Sequence, residues 1–168
     1  MKIFLPITLI IVAIFVACNQ KSNNEAMLQK RIDSLEQRLS ESYKPGFGEF
    51  MYGIQVHHAK LWFAGVNENW RLADFEIHEI IELTEDIQKY QAERKESKMI
   101  SMLNPVLDSV NAAIGQKNLS NFKSSYLVLT NTCNNCHKAV NYEFNVVKIP
   151  DSPPLSNQVF KIQENSKK

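Results

Sequence analysis

Apolar residues recur every three or four positions through most of this chain, and strand-like alternation is absent until its tail. That spacing predicts helices, because residues three and four apart share one face of a 3.6-residue turn. From Phe47 onward it predicts four. The first runs from about Phe47 to Ala64 and stops at Gly65. The second opens at Asn69, a capping residue, and continues to about Lys95, with Trp70, Ala73, Ile77, Ile80, Ile81, Thr84 and Ile87 on one stripe. The third begins at Asn104-Pro105, a cap followed by proline at the first helical position, and closes at Gly115. The fourth starts near Asn118 or Ser120 and reaches about Asn141. Four such helices with short connections predict an all-α, up-down-up-down four-helix bundle.

Upstream, Leu28, Ile32, Leu35 and Leu39 are spaced 4, 3 and 4, an a/d seam within 27–41. This short amphipathic helical stalk could join subunits or serve as an ordinary surface helix; two heptads are marginal for an independent coiled coil. Lys44-Pro45-Gly46 ends it. At the N-terminus Lys2 precedes an apolar run from Ile3 to Val16, and Ala17-Cys18 follows. A run of about fifteen residues is too short to span a bilayer and suits a signal-peptide core. Ala17-Cys18 resembles the bacterial lipoprotein box, with Phe15 where leucine is usual; the resemblance implies cleavage before Cys18 and lipid on its sulfur. The alternative is an uncleaved anchor. Either places the domain outside the cytoplasm.

The organisation is then a signal peptide over 1–17, a tether and stalk over 18–45, a bundle over 46–142 and an extended tail over 143–168. Nineteen basic and 18 acidic residues balance to +1, and cleavage removes Lys2, leaving zero. Such a surface gives no reason to expect nucleic acid or an electrostatic hold on the membrane.

The fourth helix carries the chemistry. Cys133-Asn134-Asn135-Cys136-His137 has the Cys-x-x-Cys-His form of a c-type haem attachment site. Two thiols about one turn apart can add to the two vinyl groups of a porphyrin, leaving the adjacent imidazole as proximal iron ligand. Phe122, Tyr126, Leu129, Cys133, Cys136, His137 and Val140 fall within roughly 100° of the helix circumference, so the motif continues the core stripe. The rivals fit less well. A thioredoxin-like dithiol should follow a strand and open a helix, and a zinc site would need a further donor from elsewhere. A plain disulfide leaves His137 unexplained.

A four-helix bundle with Cys-x-x-Cys-His near the end of its last helix resembles the cytochrome c′ and cytochrome c-556 group, over about residues 47–142. The resemblance implies one covalent haem c lodged between the helices, thioether bonds at Cys133 and Cys136, and His137 as proximal ligand. The stalk and the tail lie outside it. In an up-down-up-down bundle the sixth ligand should come from early in the first helix, opposite His137, and Met51 fits; the c-556 branch uses methionine there. His57 and His58 compete, at about −60° and +40° around the helix from Ile54. His78 reads as a partly exposed helix residue. Trp62 and Trp70 read as packing. Lys60, Arg71, Lys123 and Lys138 are candidate partners for haem propionates. The tail turns β-like at 144–147 and loses regularity at Pro150, Pro153 and Pro154; it is expected to fold back over the bundle beside the haem.

No other acid, base or nucleophile constellation is evident. The leading expectation is a lipid-anchored, periplasm-facing monohaem cytochrome that passes single electrons to redox partner proteins. The alternatives are a five-coordinate nitric oxide or carbon monoxide binder, and a structural lipoprotein with a disulfide.

Overall fold

The computed structural model describes residues 24–39, 42 and 45–162, in two compact units divided after Lys44. The lipid attachment expected at Cys18 and the signal peptide lie outside the described residues. In the first unit residues 24–39 form one helix, α1, whose Leu28, Ile32, Leu35 and Leu39 are all exposed. No helix among the described residues is long and apolar enough to cross a membrane.

The second unit is built from α2 (Phe47–Val66), α3 (Trp70–Tyr90), α4 (Asn104–Gly115) and α5 (Leu119–Ala139), with a 3₁₀ stretch at Ser97–Leu103. Among the described residues there is no strand. Each of these helices packs on the next, and α2 also packs on α5, so the four enclose one core. Their apolar stripes supply it: Leu61, Ala64, Ala73, Ile77, Ile87, Val110, Phe122 and Tyr126 are completely buried. Trp62 lies against Phe122 and Tyr126, with ring centroids 6.3 and 4.9 Å apart.

The starts of α3 and α5 follow the sequence signals. Asn69 accepts from the Leu72 N–H, and Asn118 accepts from the Asn121 N–H, each satisfying a donor that the helix leaves open. At α4 the expectation fails. The cap position is Leu103, and Asn104 and Pro105 already lie within the helix, because the preceding 3₁₀ turn runs straight into it.

The ends differ more. Neither Gly65 nor Gly115 is the left-handed stop; those residues are Glu68, Lys117 and Asn141, with φ of 56°, 52° and 66°. Each sits in the same closing motif. Behind α2, Glu68 N–H donates to Gly65 O and Asn69 N–H to Ala64 O. Behind α4, Lys117 and Asn118 donate to Ile114 and Ala113; behind α5, Asn141 and Tyr142 donate to Lys138 and His137. These are Schellman closures, which satisfy carbonyls that a helix end leaves open. In the first two, the last asparagine also caps the following helix, so a three-residue turn both ends one helix and begins the next.

Gly65 has a different task. A Cβ there would fall 2.1 Å from the Phe122 ring, which is fully buried, so the missing side chain is what lets α5 approach α2. The second predicted helix is also shorter than expected. It ends at Tyr90 rather than near Lys95, and Gln91 turns its Nε2 to the Pro45 carbonyl.

The tail packs back as expected, without forming a strand. Phe160 is buried, its ring 5.7 Å from Phe63, and its carbonyl accepts from Asn69 Nδ2. At its near end the tail is tied to the Cys-x-x-Cys-His turn, described next.

Candidate functional site

Cys133, Cys136 and His137 lie on the last two turns of α5, below the buried Phe122, Tyr126 and Leu129 of the same stripe. They line one cavity of about 320 Å³, within the size range of cofactor pockets. The start of α2 supplies its other wall through Phe47, Met51 and Ile54. Thus the structure brings together the two thiols, the adjacent imidazole and the methionine singled out from the sequence.

Both cysteines are free thiols. Burial pushes the Cys133 thiol up to about 12, with the neighbouring Cys136 adding to the effect, and burial raises Cys136 as well. Thiol–disulfide exchange needs a thiolate. Two sulfurs held protonated inside a cavity suit that chemistry poorly, whereas their position suits a thioether to an enclosed group.

His137 is partly exposed, and its ring is fixed by the tail. Nδ1 donates to the Asn145 carbonyl at 2.6 Å. That bond selects the tautomer with the lone pair on Nε2, the usual arrangement of a histidine that binds a metal through Nε2. Asn134, between the two cysteines, bonds the tail in both directions: its Nδ2 donates to Val147 O and its Oδ1 accepts from Val147 N–H, each at 2.8 Å. Tyr142, Asn145, Val146 and Val147 consequently form part of the cavity wall.

The two competing histidines have separate surroundings. His58 also lines the cavity, yet both of its nitrogens are engaged in the core. Thr130 donates its hydroxyl to Tyr126 O, so His58 Nε2 donates to Thr130 Oγ1 at 3.0 Å; Nδ1 then faces the Tyr126 hydroxyl at 2.9 Å. His57 does not line the cavity. It sits between α2 and α3, where Nδ1 lies 2.7 Å from Glu76 Oε2. Glu76 is wholly buried, and Lys60 Nζ lies 2.6 Å from its other oxygen. Glu76, between Ala73 and Ile80, is a charge on the apolar stripe of α3, a signal visible in the sequence. His78 is exposed and bonds the Asp74 carbonyl.

None of the four cations expected to meet propionates lines the cavity. Lys60 is committed to Glu76, and Arg71 borders a separate groove beside Trp70 and Lys161. The carboxylate among the cavity's lining residues is Glu96, held below its usual range by its own backbone N–H and by Arg94.

His58 makes the fold sensitive to acid. Burial lowers its pKa to about 4, whereas the unfolded chain takes up that proton near pH 6.5. Between those values the unfolded state binds the proton and the native state does not. Stability therefore falls as pH drops through this window, by about 3 kcal/mol in all. Urea unfolding of His58→Gln, which cannot titrate, should show a shallower loss from pH 6.5 to 4.5 than the parent. Equal slopes would refute the assignment.

Among the described residues no group of three or more His, Cys, Asp or Glu is placed to hold a bare metal ion. A porphyrin supplies the iron's equatorial ligands itself, so a haem asks the chain only for axial donors. Compared with known proteins, the chain has no match among family models, curated proteins or solved structures.

Proposed function

We propose that this chain is a monohaem c-type cytochrome that carries single electrons. The observation that supports it most is the convergence of Cys133, Cys136 and His137 on one cavity, with His137 Nδ1 held by a backbone carbonyl and Nε2 left for iron. Cys133 and Cys136 would hold the group by thioether bonds, His137 would be its proximal ligand and Met51 its distal one. Bound there, a haem supplies an iron centre that gains and loses one electron. The chain's own contribution is to bury that centre, fix the imidazole and keep water from the thiols.

The resemblance to the cytochrome c′ and c-556 group, over about residues 47–142, belongs to the same proposal, with an up-down-up-down course for α2 to α5. Contacts between the helices support that course. His57 and Lys60 meet Glu76, whereas Gly53, earlier in α2, faces Leu83, later in α3. Likewise Gly65 faces Phe122 while His58 meets Thr130. Advancing along α2 thus means receding along both neighbours. A haem at the end of α5 then lies beside the start of α2.

The setting we propose is a lipid anchor at Cys18 facing the periplasm, with redox proteins as partners. The exposed Leu28, Ile32, Leu35 and Leu39 favour pairing of α1 with a second copy. Sedimentation of the mature chain as a monomer at high micromolar concentration would reject that pairing. Mass spectrometry showing an unmodified Cys18 in the native protein would reject the anchor.

The deciding test is a pyridine haemochrome spectrum of protein produced with a c-type maturation system. A c-type spectrum at one haem per chain is expected. Colourless protein would overturn the proposal, and a haem protein that is high-spin and open to carbon monoxide without substitution would favour gas binding over electron transfer.

A further inference from the structure

We infer that residues 142–147 are a strap that positions the His137 imidazole, and that Asn134 is the positioning residue that fastens it. The inference rests on the haem reading and assigns to that site a component outside its thiols and its iron ligands.

The strap starts from the end of α5 itself. Asn141 takes the left-handed conformation, and Tyr142 N–H donates to the carbonyl of His137 at 2.7 Å, so the chain reverses directly over the histidine. Asparagine tolerates that conformation better than most residues. A second turn follows, closed by Asn145 N–H donating to Tyr142 O at 2.9 Å. These two turns present the Asn145 carbonyl to His137 Nδ1 from one side only. Two residues further on the chain would be free to swing, and there Asn134 holds both the N–H and the C=O of Val147. A side-chain amide that meets both polar groups of one residue imitates a strand neighbour. The carbonyl that faces the imidazole is therefore fixed on both flanks, by helix closure before it and by the Asn134 amide after it.

The consequence is electronic as well as steric. An imidazole whose N–H donates to a carbonyl is a more basic ligand, and such outer partners affect metal affinity or activity by 10–100-fold. A more basic donor favours the oxidised iron. Releasing the strap should therefore favour the reduced iron and raise the potential.

The experiment compares holoprotein of the parent, Asn134→Ala and Asn134→Asp. Aspartate keeps the acceptor for Val147 N–H and loses the donor to Val147 O, so it should fall between the other two. Asn134→Ala is expected to shift the iron's reduction equilibrium by about tenfold toward the reduced form, about 59 mV for one electron. Hydrogen exchange should show the Val147 amide losing protection in Asn134→Ala, with the α5 amides upstream of Tyr126 unchanged. Nitrogen NMR of His137 in haem-free chain provides a separate readout: one Nδ1–H tautomer in the parent, a mixture in the variant. Haem present with an unchanged potential in Asn134→Ala, or unchanged exchange at Val147, overturns the strap and leaves the haem reading standing. A parent protein that attaches no haem overturns both.

Discussion

Replacing Cys133 and Cys136 together by serine should give a colourless chain from a c-type maturation system in which the parent is expected to be coloured. The expectation follows from position as much as from motif. Both sulfurs line the same cavity, on the stripe that Phe122, Tyr126 and Leu129 bury above them. In the parent, colour should stay with the polypeptide through acid–acetone extraction, and the tryptic peptide covering 124–138 should carry the mass of one haem. Either single serine substitution leaves one thioether and should retain part of the colour. The double variant should also lose stability. A cavity of about 320 Å³ between α2 and α5 would stand without its filling. Emptied core sites of ordinary side-chain size already cost about 2–5 kcal/mol, so a loss at least that large should appear in urea unfolding. Haem that extracts completely from the parent would defeat the claim of covalent attachment, whatever the stability shows.

The faces of the helices were legible because burial imposes a period that any apolar stripe displays. Phe122, Tyr126, Leu129 and Cys136 could be placed on one side of α5 from spacing alone, and the structure buries all four. Caps that act within one turn were legible too, as at Asn69 and Asn118. The helix ends were not. Glycine is the ordinary sign of a left-handed stop, yet here Glu68, Lys117 and Asn141 take that conformation. For glutamate and lysine the strain is about 1–2 kcal/mol each. It is offset by closures whose partners include the cap of the next helix, a coupling that no single residue announces. Gly65 misled for the complementary reason. It is required by a contact with Phe122, far along the chain, and nothing local distinguishes that need from a turn.

The same distinction runs through the site. Cys133, Cys136, His137 and Met51 could be singled out because a motif and a topology point to them, and the structure places them on one cavity. Asn134 lay inside the motif as one of its two unspecified residues, and its role depends on Val147, 13 positions away. Glu76 could have been noticed as a charge on an apolar stripe. Its partners, His57 and Lys60, come from another helix, and their register follows only from the packed structure.

Met51→Ala should turn a low-spin, six-coordinate iron into a high-spin one that binds carbon monoxide readily once reduced. Met51 is half-buried in the wall of the cavity that His137 also lines, so the two can face one group from different elements. A neutral thioether favours the reduced iron. Its loss should therefore lower the potential, opposite in sign to the effect expected of Asn134→Ala. The histidine substitutions should act on a different axis. His58→Ala removes a buried ring that bonds Thr130 and Tyr126; their hydroxyls keep the Tyr126 and residue-58 carbonyls as acceptors, so the cost is that of the vacated core volume. His57→Ala deprives the buried Glu76 of one of the two side chains that meet its carboxylate. Both should unfold at lower urea with an iron spectrum close to the parent's. If His58→Ala instead abolishes the low-spin spectrum while Met51→Ala leaves it intact, the ligand lies deeper in the bundle, and the His58 bonds to Thr130 and Tyr126 must be exchanged when iron binds. Under the proposed reading, Met51 would decide between carrier and gas binder, as the donor that would close the iron's open side.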